Sequence, residues 1–303
     1  AHTASGAAWT PSSGETPYLG TPKGNGLYSL KSVQPNSFGA MASGNSPAGH
    51  NTYYLFNAIE ALDIPGEWFL DRKTGTLYLY PEEEHEELSE EIVAFSNPTA
   101  FNLISATEVS NLVIDGLTFD GSSSAGLAIT NANGVVVQNC TFRNTKSNNM
   151  SVTTSRNTAV IYSDFSQAYS TLLHFSDAAS FRALEPSGNV VQNCVFHDPM
   201  PLKQGALTWS GCQMVVSHNY FNSTTASSGN ATECILEYNR FEGGSKDVTD
   251  GGMIYSGGAF SRGNHYRYNL IHMFNATHNA IYNDGSGSGN YAYGNMISFI
   301  GSK

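Results

Sequence analysis

The stretch "LVIDGLTF" (112–119) decides how this chain is read, because it returns. A short apolar run, a polar bend and a second short apolar run close on Phe119. The phrase closes again on Phe142 in "VVVQNCTF", Phe165 in "AVIYSDF", Phe196 in "NVVQNCVF", Phe221 in "MVVSHNYF" and Phe241 in "CILEYNRF". It then closes on Ile271 in "YRYNLI" and Ile297 in "YAYGNMI". Subtracting neighbouring positions gives steps of 23, 23, 31, 25, 20, 30 and 26 residues. A β-type repeat of this length is a solenoid: one unit cannot bury its apolar face, and stacking supplies the core. No unit carries a helical i, i+3, i+4 stripe or leucine-rich spacing. Two short strands around a bend, followed by a longer Gly/Ser/Asn loop, predict a single-stranded parallel β-helix over 96–303. Its coils would stack about 4.8 Å apart.

The position two before the aligned residue reads Leu117, Cys140, Ser163, Cys194, Asn219, Asn239, Asn269 and Asn295. Four asparagines in a row predict an Asn ladder, in which the residue takes the left-handed conformation of the bend and its amide bonds to the coils on either side. Cys140 and Cys194 share the column, but the coil through Ser163 separates them by two steps of about 4.8 Å, beyond disulfide reach. Cys212 and Cys234 lie on neighbouring coils about two positions out of register. All four are expected to be free and buried. No C-x-x-C pair occurs, and neither a metal site nor a cofactor is expected.

Composition fits the repeat. The chain has 303 residues, 40% hydrophobic and only 13% charged, with 30 glycines, a balance that favours turns and strands over helices. The formal net charge of −11 argues against nucleic acid and against a broad basic groove for polyanions. Much of that charge sits in "EEEHEELSEE" (82–91), which reads as a solvated loop or short helix, with a divalent-cation site as the alternative. No apolar run is long enough to span a bilayer. The opening "AHTASGAAW" has neither a basic nor an apolar leader region, so a signal peptide is expected to be already removed or not included. Sequons at Asn139, Asn149, Asn222, Asn230 and Asn275 permit N-glycosylation.

Residues 1–50 are rich in Gly, Ser, Pro and Ala, without periodicity, and read as an irregular arm. A hairpin module follows over 51–95: "EWFLDRKTGTLYLYP" (67–81) places two alternating strands around a Lys-Thr-Gly turn. With "NAIEALDIPGEWFLDRKTGTLYLYP" (57–81), "NLVIDGLTFDG", "DGGMIYSG" and "AIYNDGSGSGNYAYGN", residues 53–303 resemble the secreted right-handed parallel β-helix proteins that include glycoside hydrolases and polysaccharide lyases. The resemblance, with the general crossover rule, implies a right-handed coil. It also implies an extracellular location and a polysaccharide or glycan partner. Relatives often carry two adjacent aspartates where this chain has Asn283-Asp284.

Two similar phrases, at 250–272 and 278–298, each hold an aspartate. A glycosidase needs two carboxyl groups, about 5–5.5 Å apart for retention or about 6.5–9.5 Å for inversion. Asp250 and Asp284 are the candidates. With Tyr255 aligned on Tyr282, the two lie seven residues apart along the strand, roughly 23 Å, so only a bend at "DGG" or "NDGSGSG" could join them. Each also makes an ordinary turn residue before Gly. A lyase would need a carboxylate neutraliser and a base, and "SRGNHYRY" (261–268) offers Arg262, His265, Tyr266 and Arg267, with Lys246 one coil earlier. Tyr255, Tyr266, Tyr268, Tyr282, Tyr291 and Tyr293 could bind sugar rings where they face out. The leading expectation is a carbohydrate-active protein, with hydrolysis ahead of lyase chemistry: Asp250 and Asp284 as acid and base, Arg262 and His265 as auxiliaries. The rival is a non-catalytic structural glycoprotein that forms a filament by head-to-tail pairing of coil edges.

Overall fold

The computed structural model describes residues 19–24, 27–30, 38–40, 53–55, 59, 62–71, 74–80, 101–199, 205–244, 251–257, 261–274, 279–285 and 288–300. The chain divides into two compact units, Ala1–Val93 and Ala94–Lys303.

In the second unit, three eight-stranded sheets run in strict chain order. The first sheet holds Ile104–Thr107, Leu127–Thr130, Met150–Thr153, Leu173–Ser176, Gly205–Cys212, Thr225–Thr232, Gly252–Ser256 and Asn279–Asn283. The second runs from Val113–Asp115 to Tyr291–Tyr293, and the third from Thr118–Asp120 to Met296–Ile300. Every pairing within them is parallel, between one coil and the next. This is a single-stranded parallel β-helix.

Each coil therefore has three strands where the sequence pattern showed two. The missed strand lies in the stretch read as loop. Its inward residues alternate with Ser, Thr and His, as in Met150–Thr153 and Leu173–Ser176, and those polar outward residues hid the alternation. The long step from Phe165 to Phe196 has a local cause: the helix Ala178–Ala183 is inserted there, capped by Asp177, whose Oδ1 accepts from the Ser180 N–H. Among the described residues, no helix is long and apolar enough to cross a membrane.

The aligned column holds. Phe119, Phe142, Phe165, Phe196, Phe221 and Phe241 pair in register from coil to coil, followed by Ile271 and Ile297. Their rings stack with centroids 4.5, 4.8, 5.2, 4.8 and 4.4 Å apart, close to the spacing of adjacent strands. Each buried ring contributes about 1.5–3 kcal/mol from lost water contact.

The bend works differently from the expectation. The left-handed residue is one position earlier: Gly116, Asn139, Tyr162, Asn193, His218, Tyr238, Tyr268 and Gly294, with φ between 50° and 70°. The asparagines after it bond in series, Asn219, Asn239 and Asn269 buried and Asn295 half-buried. Asn219 Nδ2 donates to Asn239 Oδ1 (3.0 Å) and to the Val191 carbonyl (3.0 Å). Asn239 repeats this with Asn269 and Val216, and Asn269 with Asn295 and Leu236. These amides satisfy backbone carbonyls that the bend turns inward. All four cysteines are free and buried.

In the first unit, Trp68–Asp71 and Thr76–Leu79 form the antiparallel hairpin, and Gly75 closes its turn at φ 72°. The stretch read as an irregular arm carries paired strands: Leu19–Gly24 with Leu27–Leu30, and Phe38–Ala40 with Tyr53–Leu55. The acidic run 82–91 lies outside the described residues.

Candidate functional site

The outer face of the first sheet carries one column in register: Ser151, His174, Thr208, Ser227, Tyr255 and Tyr282. Their strand neighbours point into the core, so these side chains point out. The column spans five coil steps, about 24 Å. Over its middle lies a cavity of about 490 Å³, walled by Asn148, Ser170 and Thr171 from the turns entering the sheet and by Ser210 and Gly229 from the strands. Asn148 Oδ1 accepts from the Thr171 N–H (3.2 Å), which locks two successive turns into one wall.

His174 is the titratable group of this groove. Its Nδ1 lies 2.7 Å from Thr208 Oγ1. Burial holds its pKa below the usual histidine range, so the ring is neutral near pH 7 and offers one N–H donor and one acceptor nitrogen for hydrogen bonds. Neither His174 nor Thr208 stood out in the sequence, because neither belongs to a motif. The signal available was the polar alternation of "TLLHFS" and "ALTWS".

Asp284 sits at the far end of the column. Its Oδ2 accepts from the Tyr255 hydroxyl at 2.5 Å and its Oδ1 from the Gly285 N–H at 2.7 Å. Tyr255, then Gly285 and Tyr282, hold the carboxyl below the usual carboxylate range. An ionised, hydrogen-bonded carboxylate suits a base, a nucleophile or an electrostatic partner. A general acid needs the opposite shift. Tyr255 and Tyr282 meet edge to face at 5.5 Å.

The other candidates scatter. Asp250 and Lys246 lie outside the described residues. Arg262 is exposed at a bend, tied by its backbone N–H to the Ala231 carbonyl. His265 faces out from the second sheet, stacked on Tyr291 at 4.9 Å. Arg267 bonds Glu237 (2.7 Å) and the Tyr293 hydroxyl (3.1 Å). Tyr266 is fully buried. The structure thus places Asp284 just past the last strand of the first sheet, and His265 and Arg267 on the second.

Among the sequons, Asn139 and Asn230 are exposed and Asn222 is half-buried. Asn275 lies outside the described residues. Asn149 is fully buried, and its Nδ2 donates to the Ser166 carbonyl at 3.0 Å. Attaching a glycan there would require opening the coil.

Residues 82–221 match the family described as "Right handed beta helix region". The solenoid is a right-handed parallel β-helix. Residues 40–82 match the GH141 insertion domain, and the phrase at 57–81 that carried the resemblance lies inside that match. The chain is also similar to a solved structure named "Glycoside hydrolase", at 11% identity and a TM-score of 0.37. The match covers 78% of this chain and 60% of that one, so the chain spans less than two thirds of that structure's length. No curated protein matches the chain.

Proposed function

We propose that this chain is a secreted, carbohydrate-active β-helix protein of the glycoside hydrolase-like group. It binds a glycan along the outer column of its first sheet. One observation carries the reading: hydroxyls, an amide and a neutral imidazole line a single groove, in register with two tyrosines that end on an ionised carboxylate. Hydroxyls and amides that both donate and accept match the hydrogen-bonding of sugars, and tyrosine rings offer apolar faces with a polar edge. The match of residues 40–82 to a GH141 insertion domain favours hydrolysis over elimination. In that reaction Asp284 is the carboxylate and Asp250 the first partner to test as the acid.

The test is binding and turnover on a panel of plant and microbial oligosaccharides, by calorimetry and reducing-end release. His174→Ala and Thr208→Val should each weaken binding about tenfold or more, the loss expected when a site's polar groups are left unpaired. Asp284→Asn should abolish turnover while leaving binding. Full binding by His174→Ala would place the site elsewhere. Detection of the natural protein in culture medium tests secretion.

A further inference from the structure

Glycine inside a strand weakens it, having no side chain to pack and the most conformational freedom to lose. A strand glycine therefore needs a reason. From Gly116 to Gly243 the β-helix holds nine glycines, and seven of them show one. Gly116, Gly121, Gly134, Gly188, Gly211 and Gly243 have φ between 67° and 133°, where other residues are strained. Gly126 is crowded: a Cβ there would lie 2.8 Å from the Asn149 carbonyl oxygen. Gly205 and Gly229 have neither reason. Their φ values are not left-handed. A Cβ would make ordinary contacts only, 3.6 Å from Thr171 Oγ1 at Gly205 and 3.8 Å from the Trp209 carbonyl oxygen at Gly229. Both lie at the groove, whose walls include Thr171, Trp209 and Gly229 itself.

The place of Gly229 on the sheet shows what the bare backbone is for. Trp209, Ser228, Ser256 and Asn283 are ladder partners. The residues after them, Ser210, Gly229, Gly257 and Asp284, follow one per coil toward the carboxylate. The Gly257 N–H bonds to the Ser228 carbonyl and the Asp284 N–H to the Ser256 carbonyl, which continues the register. At Gly229 the strand bulges, with Gly229 and Asn230 together opposite Ser210. Among the described residues, this is the one pairing of the three sheets whose register shifts, and bulges gather beside functional sites. Gly257 shows what such a position receives. A Cβ there would lie 2.6 Å from Tyr255 Cε1, because the Tyr255 ring lies across the glycine and reaches Asp284 Oδ2 with its hydroxyl. Gly229 is one coil step away, about 4.8 Å. Among the described residues, only the Trp209 carbonyl oxygen comes within 4 Å of its Cβ position.

We propose that Gly229 determines the specificity of the groove, by holding open a ring-sized seat against the strand backbone. One sugar ring of the bound glycan packs there, as the Tyr255 ring packs on Gly257. The coil spacing sets that sugar beside Tyr255, on the side away from Tyr282, and directs the chain toward Asp284. The inference rests on the reading of the groove as a glycan site.

Filling the seat tests it. The probes are cellohexaose, mannohexaose, xylohexaose and hexagalacturonate, titrated by calorimetry into the unaltered protein, Gly229→Ala, Gly229→Val and His174→Ala. Because a Cβ fits at Gly229, the melting temperature of Gly229→Ala should hold or rise by about 1–4 °C. Affinity for the probe that binds should fall in Gly229→Ala and fall about tenfold or more in Gly229→Val. A melting temperature lowered in Gly229→Ala would show that the fold itself needs the glycine, and would overturn the proposal. Full affinity in Gly229→Val, with binding lost in His174→Ala, would overturn it and leave the groove as the glycan site. If no probe binds the unaltered protein, the glycan reading and this seat fall together.

Discussion

Two columns run side by side through the same core and behave differently. The phenylalanine column of the third sheet repeats one residue type over six coils, with rings within 15° of parallel. The inward column of the first sheet is apolar only as far as Trp209 and then turns to Ser228 and Ser256. The uniform column has one task, which is to exclude water along the solenoid axis. The broken column lies behind the only cavity described above, where polar groups of the interior and of the groove share the same strands. Repetition in a solenoid marks the scaffold, and the interruption marks where something else has been built.

The contrast breaks most decisively under truncation. Phe196 is fully buried between Phe165 and Phe221. Phe196→Ala should cost about 3–5 kcal/mol, transfer loss and cavity together. Ser256→Ala, in the broken column, should cost about 1 kcal/mol, the net worth of an ordinary hydrogen bond. Denaturant midpoints measure both, and equal losses would show that the two columns carry the same load.

Next comes the asparagine series. Asn239 donates to Val216 and Asn269, and its Oδ1 accepts from both the backbone and the side-chain nitrogen of Asn219. Asn239→Ala would strand several buried groups at once, a loss on the order of 3 kcal/mol. Asn239→Asp keeps the shape but turns a second acceptor oxygen toward the Val216 carbonyl and Asn269 Oδ1 in a buried site, so it should cost at least as much as Asn239→Ala. If Asn239→Ala cost no more than an exposed substitution, the series would be ornament.

These cases show how much could be read in advance. The phenylalanine register was legible because one bulky residue type occupies the same place in every coil, and the steps between copies survive loops of different length. The left-handed bend was placed one residue late. The asparagines drew attention, yet the strained position is held by residues as varied as Tyr162, His218 and Gly294, and variety leaves no pattern. The groove was hidden for a related reason. His174 and Thr208 are single polar residues in alternating strands, brought together by stacking 34 residues apart. Asp284 could be named as a candidate from its phrase, but its contact with Tyr255 and the direction of its pKa shift depend on coil stacking.

Charge on the outer face of the third sheet gives a smaller effect, directly above the phenylalanine column. His197 follows Phe196 and bridges two carboxylates, Nδ1 to Asp198 Oδ2 at 2.8 Å and Nε2 to Asp164 Oδ1 at 3.0 Å. Partial burial opposes its charge, but the hydrogen bonds to Asp198 and Asp164 outweigh it and raise its pKa above the usual histidine value. A raised folded pKa stabilises the protein fully below the unfolded value near 6.5. The contribution fades as pH climbs through the folded value. The melting temperature should therefore drop modestly from pH 6 to pH 8, beyond the drop in His197→Gln. The ring is about a third exposed, so screening keeps the effect small. Identical pH profiles for the two proteins would remove His197 from the account.

The smallest effect sharpens the comparison within a single column. Early coils place Cys140 and Cys194 where later coils place asparagine. The thiols make the same kind of contact more weakly: Cys194 Sγ reaches the Val160 carbonyl at 3.5 Å, as Asn219 Nδ2 reaches the Val191 carbonyl at 3.0 Å. Burial pushes the Cys194 thiol up to about 12, and Cys234 likewise. At pH 8 the reactive thiolate of such a group is roughly one part in ten thousand. In the native protein, a maleimide or disulfide reagent should therefore modify neither cysteine over hours. After denaturation all four cysteines should react at once. Cys194→Asn should fold, because the coil before it already presents the carbonyl that an amide would bond. Fast native labelling of Cys194 would show that the thiol half of the column opens far more readily than the packed phenylalanines beside it, and the two columns could no longer be treated as one rigid core.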